Sequence, residues 1–258
     1  VGAIGNADEI NTVALTGSSG VTLGGNITTS DAAGNTVTVT GPATLGADVT
    51  IDTDNATNDG AVNFTSTVDG GQALVLTAGT GNVTVSGAIG GTTALTALTI
   101  GGADVSVNDL GDADTVGVSG TTALTASDEL TLSGGTYKTN AATYTSAAGD
   151  KILLTGGSAV TFTTTDDIVT FSTGNLKLSN GSDLTVTTGG GAISAVGING
   201  TSSEDVTLTS TGGTANTVSV GAIGNADEIN TVALTGSSGV TLGGNITTSD
   251  AAGNTVTV

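Results

Sequence analysis

The chain has 258 residues, of which 43 are glycine and one is proline, and it contains no cysteine, methionine, histidine or tryptophan. It carries 23 acidic side chains against three basic ones, and the net charge of −20 disfavours nucleic acid and anionic membrane surfaces as partners. Without histidine and cysteine it can form neither a Ser-His-Asp triad nor a Cys-His pair, so we predict that it is not an enzyme.

Short units of an apolar residue, any residue and a second apolar residue recur along the whole chain, separated by turns rich in Gly, Asn and Ser. Such alternation predicts β-strands with one buried face. In chain order the clearest units are Val13-Ala-Leu15, Val37-Thr-Val39, Val62-Asn-Phe64, Leu74-Val-Leu76, Val83-Thr-Val85, Val116-Gly-Val118, Leu130-Thr-Leu132, Val160-Thr-Phe162, Leu176-Lys-Leu178 and Val206-Thr-Leu208. The predicted inward residues include Val37, Val39, Val83, Val85, Leu130, Leu132, Val206 and Leu208.

A long exact repeat is superimposed on these units. Residues 1–39 recur unchanged as residues 220–258, an offset of 219 residues. We therefore interpret residues 1–219 as one complete tandem unit of a continuous solenoid and residues 220–258 as the start of the next identical unit. The second copy begins through Val218-Ser-Val220-Gly221 without a linker or proline, so we expect coiling to continue across the junction.

The strand pattern favours a solenoid over a chain of β-sandwiches. The units are spaced by roughly eleven residues, which suits either fold. However, the apolar residues are small and aliphatic, and no tryptophan is present to anchor a sandwich core. We predict an all-β parallel β-solenoid, by default a right-handed β-helix, with two or three short strands per coil and roughly seven to ten coils in each repeat.

Units such as Leu130-Thr-Leu-Ser-Gly-Gly and Gly81-Asn-Val-Thr-Val-Ser-Gly resemble the strand repeats of giant bacterial surface proteins. These are the filamentous-haemagglutinin-like adhesins and the β-helical passenger domains of autotransporters. The resemblance implies a secreted, cell-surface segment of a fibre or adhesin shaft. Its partners would be neighbouring repeats of the same chain and neighbouring fibres.

One loop is a candidate metal site. Asp52, Asp54, Asn55, Asn58 and Asp59 place several oxygen ligands within a short segment. Ca²⁺ takes six to eight oxygens from carboxylates, amides and carbonyls. The loop lacks the Glu that completes an EF-hand, and an Asx-rich turn explains the same composition. We expect that no cofactor is required, with Ca²⁺ as the one candidate.

Two alternatives stay open at this point. The first is a surface-layer array of β-sandwich modules that depends on calcium. The second is an ice-binding solenoid, because units such as Thr36-Val-Thr38-Val-Thr40 place hydroxyl groups on one strand face. The outward positions vary among Thr, Ser, Asn, Lys, Ala and Gly, and this favours threonine as a generic solvent-facing strand residue over a regular ice-binding lattice.

Overall fold

The fold is a parallel β-solenoid of about ten turns, as the sequence predicts. The computed structural model describes residues 1–5, 8, 10–179, 181–201, 203–213, 216–250 and 253–258. Within these ranges there is no helix, and every pairing between named strands is parallel. The alternative of β-sandwich modules is wrong for this chain, because sandwiches are built from antiparallel sheets.

In the part of the chain that the structure describes, twenty-five strands form the solenoid. In chain order they are β1 (Val13–Thr16), β2 (Val21–Leu23), β3 (Ile27–Thr28), β4 (Val37–Thr40), β5 (Ala43–Leu45), β6 (Val49–Asp52), β7 (Val62–Phe64), β8 (Val68–Asp69), β9 (Ala73–Thr77), β10 (Val83–Val85), β11 (Ala97–Gly102), β12 (Val105–Val107), β13 (Thr122–Ala126), β14 (Leu130–Leu132), β15 (Thr136–Lys138), β16 (Ala142–Leu154), β17 (Ala159–Thr164), β18 (Val169–Leu178), β19 (Asp183–Thr188), β20 (Ile193–Asn199), β21 (Asp205–Ser210), β22 (Thr217–Ile223), β23 (Thr231–Gly236), β24 (Gly239–Leu242) and β25 (Val256–Thr257).

Each coil passes through three faces, which we name A, B and C in chain order. Face A contains β1, β4, β7, β10, β12 and β14, followed by the second halves of β16, β18, β20 and β22. Face B contains β2, β5 and β8, then single bridges at Ile89 and Leu110, and then β15, β17, β19, β21, β23 and β25. Face C contains β3, β6, β9, β11 and β13, the first halves of β16, β18, β20 and β22, and β24.

The core consists of ladders of like side chains that run along the axis. On face A, Val37 pairs with Val62, Val62 with Val83, and Val83 with Val105, so each position stacks on an aliphatic residue of the next coil. All eight residues that the sequence predicts to point inward are buried. The alternation of apolar and polar residues therefore places the narrow aliphatic core correctly.

Four of the five aromatic side chains form one cluster, which the strand pattern did not predict. On face B the rings of Tyr137 and Phe162 stack at 4.7 Å, and on face C those of Tyr144 and Phe171 stack at 5.2 Å. Edge-to-face contacts of 5.1 to 6.4 Å join the two stacks across the interior. The cluster lies in the part of the chain where the strands become longer.

The long repeat does not match a whole number of coils. The face A ladder passes from Val13 to Ile223 through nine successive pairings, each spanning 21 to 25 residues. Val232, which is Val13 of the second copy, lies one face further on, in β23 of face B. One 219-residue repeat therefore makes nine and one third turns, within the predicted seven to ten.

The junction between the copies falls inside a strand. β22 (Thr217–Ile223) contains residues 219 and 220 and pairs with β20 on one side and β24 on the other. The second copy also keeps the internal register of the first, since Val232 pairs with Val256 as Val13 pairs with Val37. Coiling continues through the junction without an interruption of the ladder.

Candidate functional site

The candidate calcium loop lies at the corner between faces C and A. It follows β6 and precedes β7, and the corresponding loops of the neighbouring coils stack below and above it. The structure brings all five predicted residues to this corner, because the loop closes on itself between two buried strands. Their side chains can therefore form hydrogen bonds within this loop and with the loops of the two adjacent coils.

Asp59 connects this loop to the coil above. Its Oδ2 accepts hydrogen bonds from the backbone N and the Oγ1 of Thr80, both at 2.7 Å, and its Oδ1 accepts one from the backbone N of Asn55 at 2.8 Å. The hydrogen bonds from Thr80 and Asn55 hold the pKa of Asp59 below its ordinary value, because they favour the charged form. The carboxylate acts as a staple between consecutive coils.

Asp31 makes the same kind of connection from the coil below, and sequence reasoning missed it. Its Oδ1 accepts hydrogen bonds from the backbone N of Asn58 at 2.7 Å and of Thr57 at 3.1 Å. The bond from Asn58, followed by that from Thr57, lowers the pKa of Asp31. Only the length of a coil, which the sequence leaves undetermined, would have placed Asp31 beside Asn58.

The remaining predicted ligands also take part in turn contacts. Asp52 Oδ1 accepts a hydrogen bond from the backbone N of Asp54 at 3.1 Å, which is an Asx turn. Asn55 donates from Nδ2 to the carbonyl oxygens of Thr53 and of Ser30, each at 3.3 Å. Among the described residues, no three His, Cys, Asp or Glu side chains are grouped closely enough to hold a metal ion.

Amide and carbonyl oxygens could still complete a calcium shell around two carboxylates, so the calcium site stays a prediction. The hypothesis predicts heat on calorimetric titration of the chain with Ca²⁺, and loss of that heat in the Asp52→Ala/Asp54→Ala variant. Thr50→Ala, on the outward side of the same strand, is a matched control that should leave the heat unchanged. A titration of the unmodified chain without heat would dismiss the site.

We expect the hydrogen bonds that Asp59 accepts from Thr80 and Asn55 to make the stability of the folded chain decrease at acid pH. Since the pKa of Asp59 is lowered in the folded chain, its contribution is complete above the ordinary value of 3.8 and is lost as the pH falls through the folded-state value. Asp59→Asn should lower the melting temperature at pH 7 and reduce the further fall between pH 5 and pH 2. Melting curves recorded across this range test it, and parallel pH profiles of both proteins would contradict it.

Face B carries a regular array of threonines on its outer side. Consecutive strands β15, β17, β19, β21 and β23 are in register, and alternate residues of each strand point outward. Two columns result, one of Thr136, Thr161, Thr185 and Thr207 and the other of Thr163, Thr187, Thr209 and Thr235. The sequence predicts irregular outward positions, and on this part of face B that prediction is wrong.

No family model, curated protein or solved structure matches the chain. Across the described ranges, no helix is both long and apolar enough to cross a membrane. The part of the surface that the structure describes has no pocket.

Proposed function

We propose that the chain is a structural segment of a secreted, cell-surface fibre or adhesin shaft built from tandem copies of the 219-residue unit. The observation that carries the proposal is the passage of β22 across the junction between copies, with the ladder of buried residues unbroken. A shaft needs such continuity, because each coil then depends mainly on its two neighbours and copies can be added without redesign.

Composition supports the extracellular setting. The chain has no cysteine or methionine, so it lacks the two most easily oxidised side chains. Its net charge of −20 favours solubility and repulsion between fibres. Antibodies raised against the folded chain should label intact cells of the source organism, and labelling only after cells are broken would contradict this location.

The mechanical role has a direct test in chains of one, two and four tandem copies. At the inter-strand spacing of about 4.8 Å, nine and one third coils advance the axis by about 45 Å. Small-angle scattering should show rods whose length increases by about that amount with each copy and whose cross-section stays constant. A scattering curve that fits folded units joined by flexible segments, and fits no rod, would overturn the proposal.

The threonine columns favour ice binding as a second candidate function. Their hydroxyl and methyl groups repeat at about 4.8 Å along the axis and about 6.6 Å along each strand, which gives a regular two-dimensional lattice. The side chains in the middle of the lattice are partly exposed. This regularity is confined to strands from β15 to β23, so ice binding would be a property of the second half of the repeat.

Thermal hysteresis and inhibition of ice recrystallisation measure this second function. If face B binds ice, Thr185→Lys/Thr187→Lys in the middle of the array should abolish both activities. Thr84→Lys on face A should leave them unchanged, since that residue is outside the array. Absence of activity in the unmodified chain would remove this candidate and leave the shaft proposal intact.

A further inference from the structure

Face B narrows to single residue pairs in the middle of the repeat. Among residues 10–179, all of which the structure describes, isolated bridges carry the ladder on this face between β8 and β15. At one of them the backbone N of Ile89 donates to the carbonyl oxygen of Asp109 at 2.9 Å, and the backbone N of Gly111 donates to the carbonyl oxygen of Ile89 at 2.8 Å. We name these bridges the seam. In chain order its residues are Val68, Ile89, Leu110 and Tyr137.

The other two faces of the same coils keep continuous strands. On face A, β10 pairs with β12 along its whole length, and on face C, β11 pairs with β13 from Leu98 to Gly102. Face B is also wider further along, where β19 pairs with β21 from Leu184 to Thr188. The seam therefore has fewer backbone hydrogen bonds between coils than its neighbours on every side.

Extra chain lies beside the seam. Each of three consecutive coils has a second inward residue between the seam and face C, and these residues are joined by bridges as well. In the uppermost coil one residue separates the two inward positions, whereas residues 111–117 and residues 90–94 separate them in the two coils below. The three pairs of inward positions are Tyr137 and Thr139, Leu110 and Val118, and Ile89 and Leu95.

These two segments form loops that reach the surface. Thr92, Thr93 and Asp112 are exposed in them. A chain can extend to about 3.3–3.6 Å per residue, so the loops contain spare length between face B and face C. When a bridge of the seam opens, a loop can lengthen while the strand of face C stays in place.

Side chains at the surface hold the loops against the neighbouring coils. Asp69 Oδ1 accepts hydrogen bonds from the backbone N of Thr92 at 2.8 Å and of Thr93 at 3.1 Å. Lys138 Nζ donates to the carbonyl oxygen of Ala113 at 3.1 Å. Because water can replace surface hydrogen bonds at little net cost, these contacts order the loops and still allow them to move.

We propose that the seam is a hinge, at which face B opens reversibly while faces A and C stay paired. The rod would bend in one direction, away from face B, because the loops beside the seam allow that face alone to lengthen. One hinge in each 219-residue copy would make a tandem shaft compliant without a break in its aliphatic core. The inference rests on the proposed shaft for its setting.

Hydrogen exchange of the unmodified chain under native conditions measures the opening. After correction for intrinsic rates, the backbone N–H groups of Ile89, Gly90, Leu110 and Gly111 should exchange at least about tenfold faster than those of β19 and β21, because fewer hydrogen bonds must open together. The N–H groups of β10 and β12, on face A of the same coils, should be protected like those of β21.

Two results would overturn the inference. The first is equal protection of the seam and of β19. The second is fast exchange on all three faces of these coils, because whole coils would then unfold and no hinge would exist.

A disulfide across the seam should close the hinge. Thr67 and Ala88 immediately precede the residues of the first bridge and are partly exposed. Paired positions on adjacent strands lie about 4.8 Å apart, within the range that a disulfide spans. Oxidised Thr67→Cys/Ala88→Cys should lose the fast exchange of Ile89 and Gly90, and dithiothreitol should restore it. Fast exchange that persists in the oxidised variant would contradict the hinge.

The matched control is Thr185→Cys/Thr207→Cys, which joins β19 to β21 on the same face. The chain has no cysteine of its own, so each variant contains a single disulfide. Oxidation of the control should leave exchange at the seam unchanged. If it slows exchange at the seam as much as the first disulfide does, the effect is general stabilisation and the hinge is wrong.

Electron microscopy of four tandem copies links the hinge to the shaft. Oxidation of the seam disulfide in every copy should increase the persistence length of the rods, and oxidation of the control disulfide should not. Equal persistence lengths before and after oxidation of the seam would overturn the hinge and leave the shaft proposal intact. Chains that form no rod would overturn the shaft, while the exchange measurement on one copy would still decide whether the seam opens.

Discussion

Val83→Asp should destroy the coil that contains it. Val83 is buried in the face A ladder between Val62 and Val105, and no cationic group is part of that ladder position. A carboxyl group there loses its hydration without a hydrogen-bonding partner, and we expect a loss of more than about 4 kcal/mol of unfolding free energy. In a domain of this size this lowers the melting temperature by about 10 °C or more.

Thr84→Asp is the matched control for this prediction. Thr84 follows Val83 in β10, but its side chain points outward and is partly exposed. An aspartate at this position keeps its hydration, so we expect a change of no more than about 0.5 kcal/mol. Calorimetry of the two variants compares the inner and outer sides of one strand. Equal melting temperatures for Val83→Asp and the unmodified chain would contradict the stacked core.

The second large effect is expected for Phe162→Ala, at the centre of the aromatic cluster. Phe162 is buried and stacks on Tyr137, and its ring edges meet Tyr144 and Phe171 at 5.3 and 5.1 Å. Removal of this ring opens a cavity shared by two faces of the solenoid. We expect a loss of about 3–5 kcal/mol, measured by denaturant unfolding.

Phe64→Ala separates the ring contacts from simple burial. Phe64 is buried as deeply as Phe162, but it makes no ring pair with any aromatic residue that the structure describes. Since an aromatic pair contributes about 0.5–1.5 kcal/mol beyond its buried area, Phe64→Ala should cost less than Phe162→Ala. A larger loss for Phe64→Ala would mean that the cluster adds no stability of its own.

The period-2 pattern was enough to predict the solenoid and most of its strands, but Val116-Gly-Val118 forms only isolated bridges instead of a strand, and Val116 is partly exposed. In a chain without tryptophan, the alternation in Val37-Thr-Val39 and Leu130-Thr-Leu132 indicates strands that line a narrow aliphatic core. The valines and leucines of both units are buried, as this interpretation predicts. The long repeat likewise predicted continuity from coil to coil. These features are local, because each depends on residues within one or two strands.

Features that depend on the length of a coil could not be predicted. Asp31 meets Asn58 across one turn, and Tyr137 meets Phe162 across another, at separations that vary from coil to coil. The threonine columns of face B need the same information, because strands must be in register before their outward residues align. For this reason the sequence identified the loop around Asp59 as a candidate site, but it did not identify the hydrogen-bonding partners of that loop, Asp31 in the coil below and Thr80 in the coil above.

The third of a turn by which each repeat exceeds nine coils has a geometric consequence for a rod of tandem copies. If copies are joined as we propose, each would be rotated by a third of a turn relative to the previous one, and the copies would follow a threefold screw with a pitch of about 135 Å, three times the advance of one unit. The corner loop around Asp59 and the threonine columns would each point in three directions in turn. Such a rod would present the same groups in all three directions to any neighbour. Nine coils in each repeat would have placed them all along one edge.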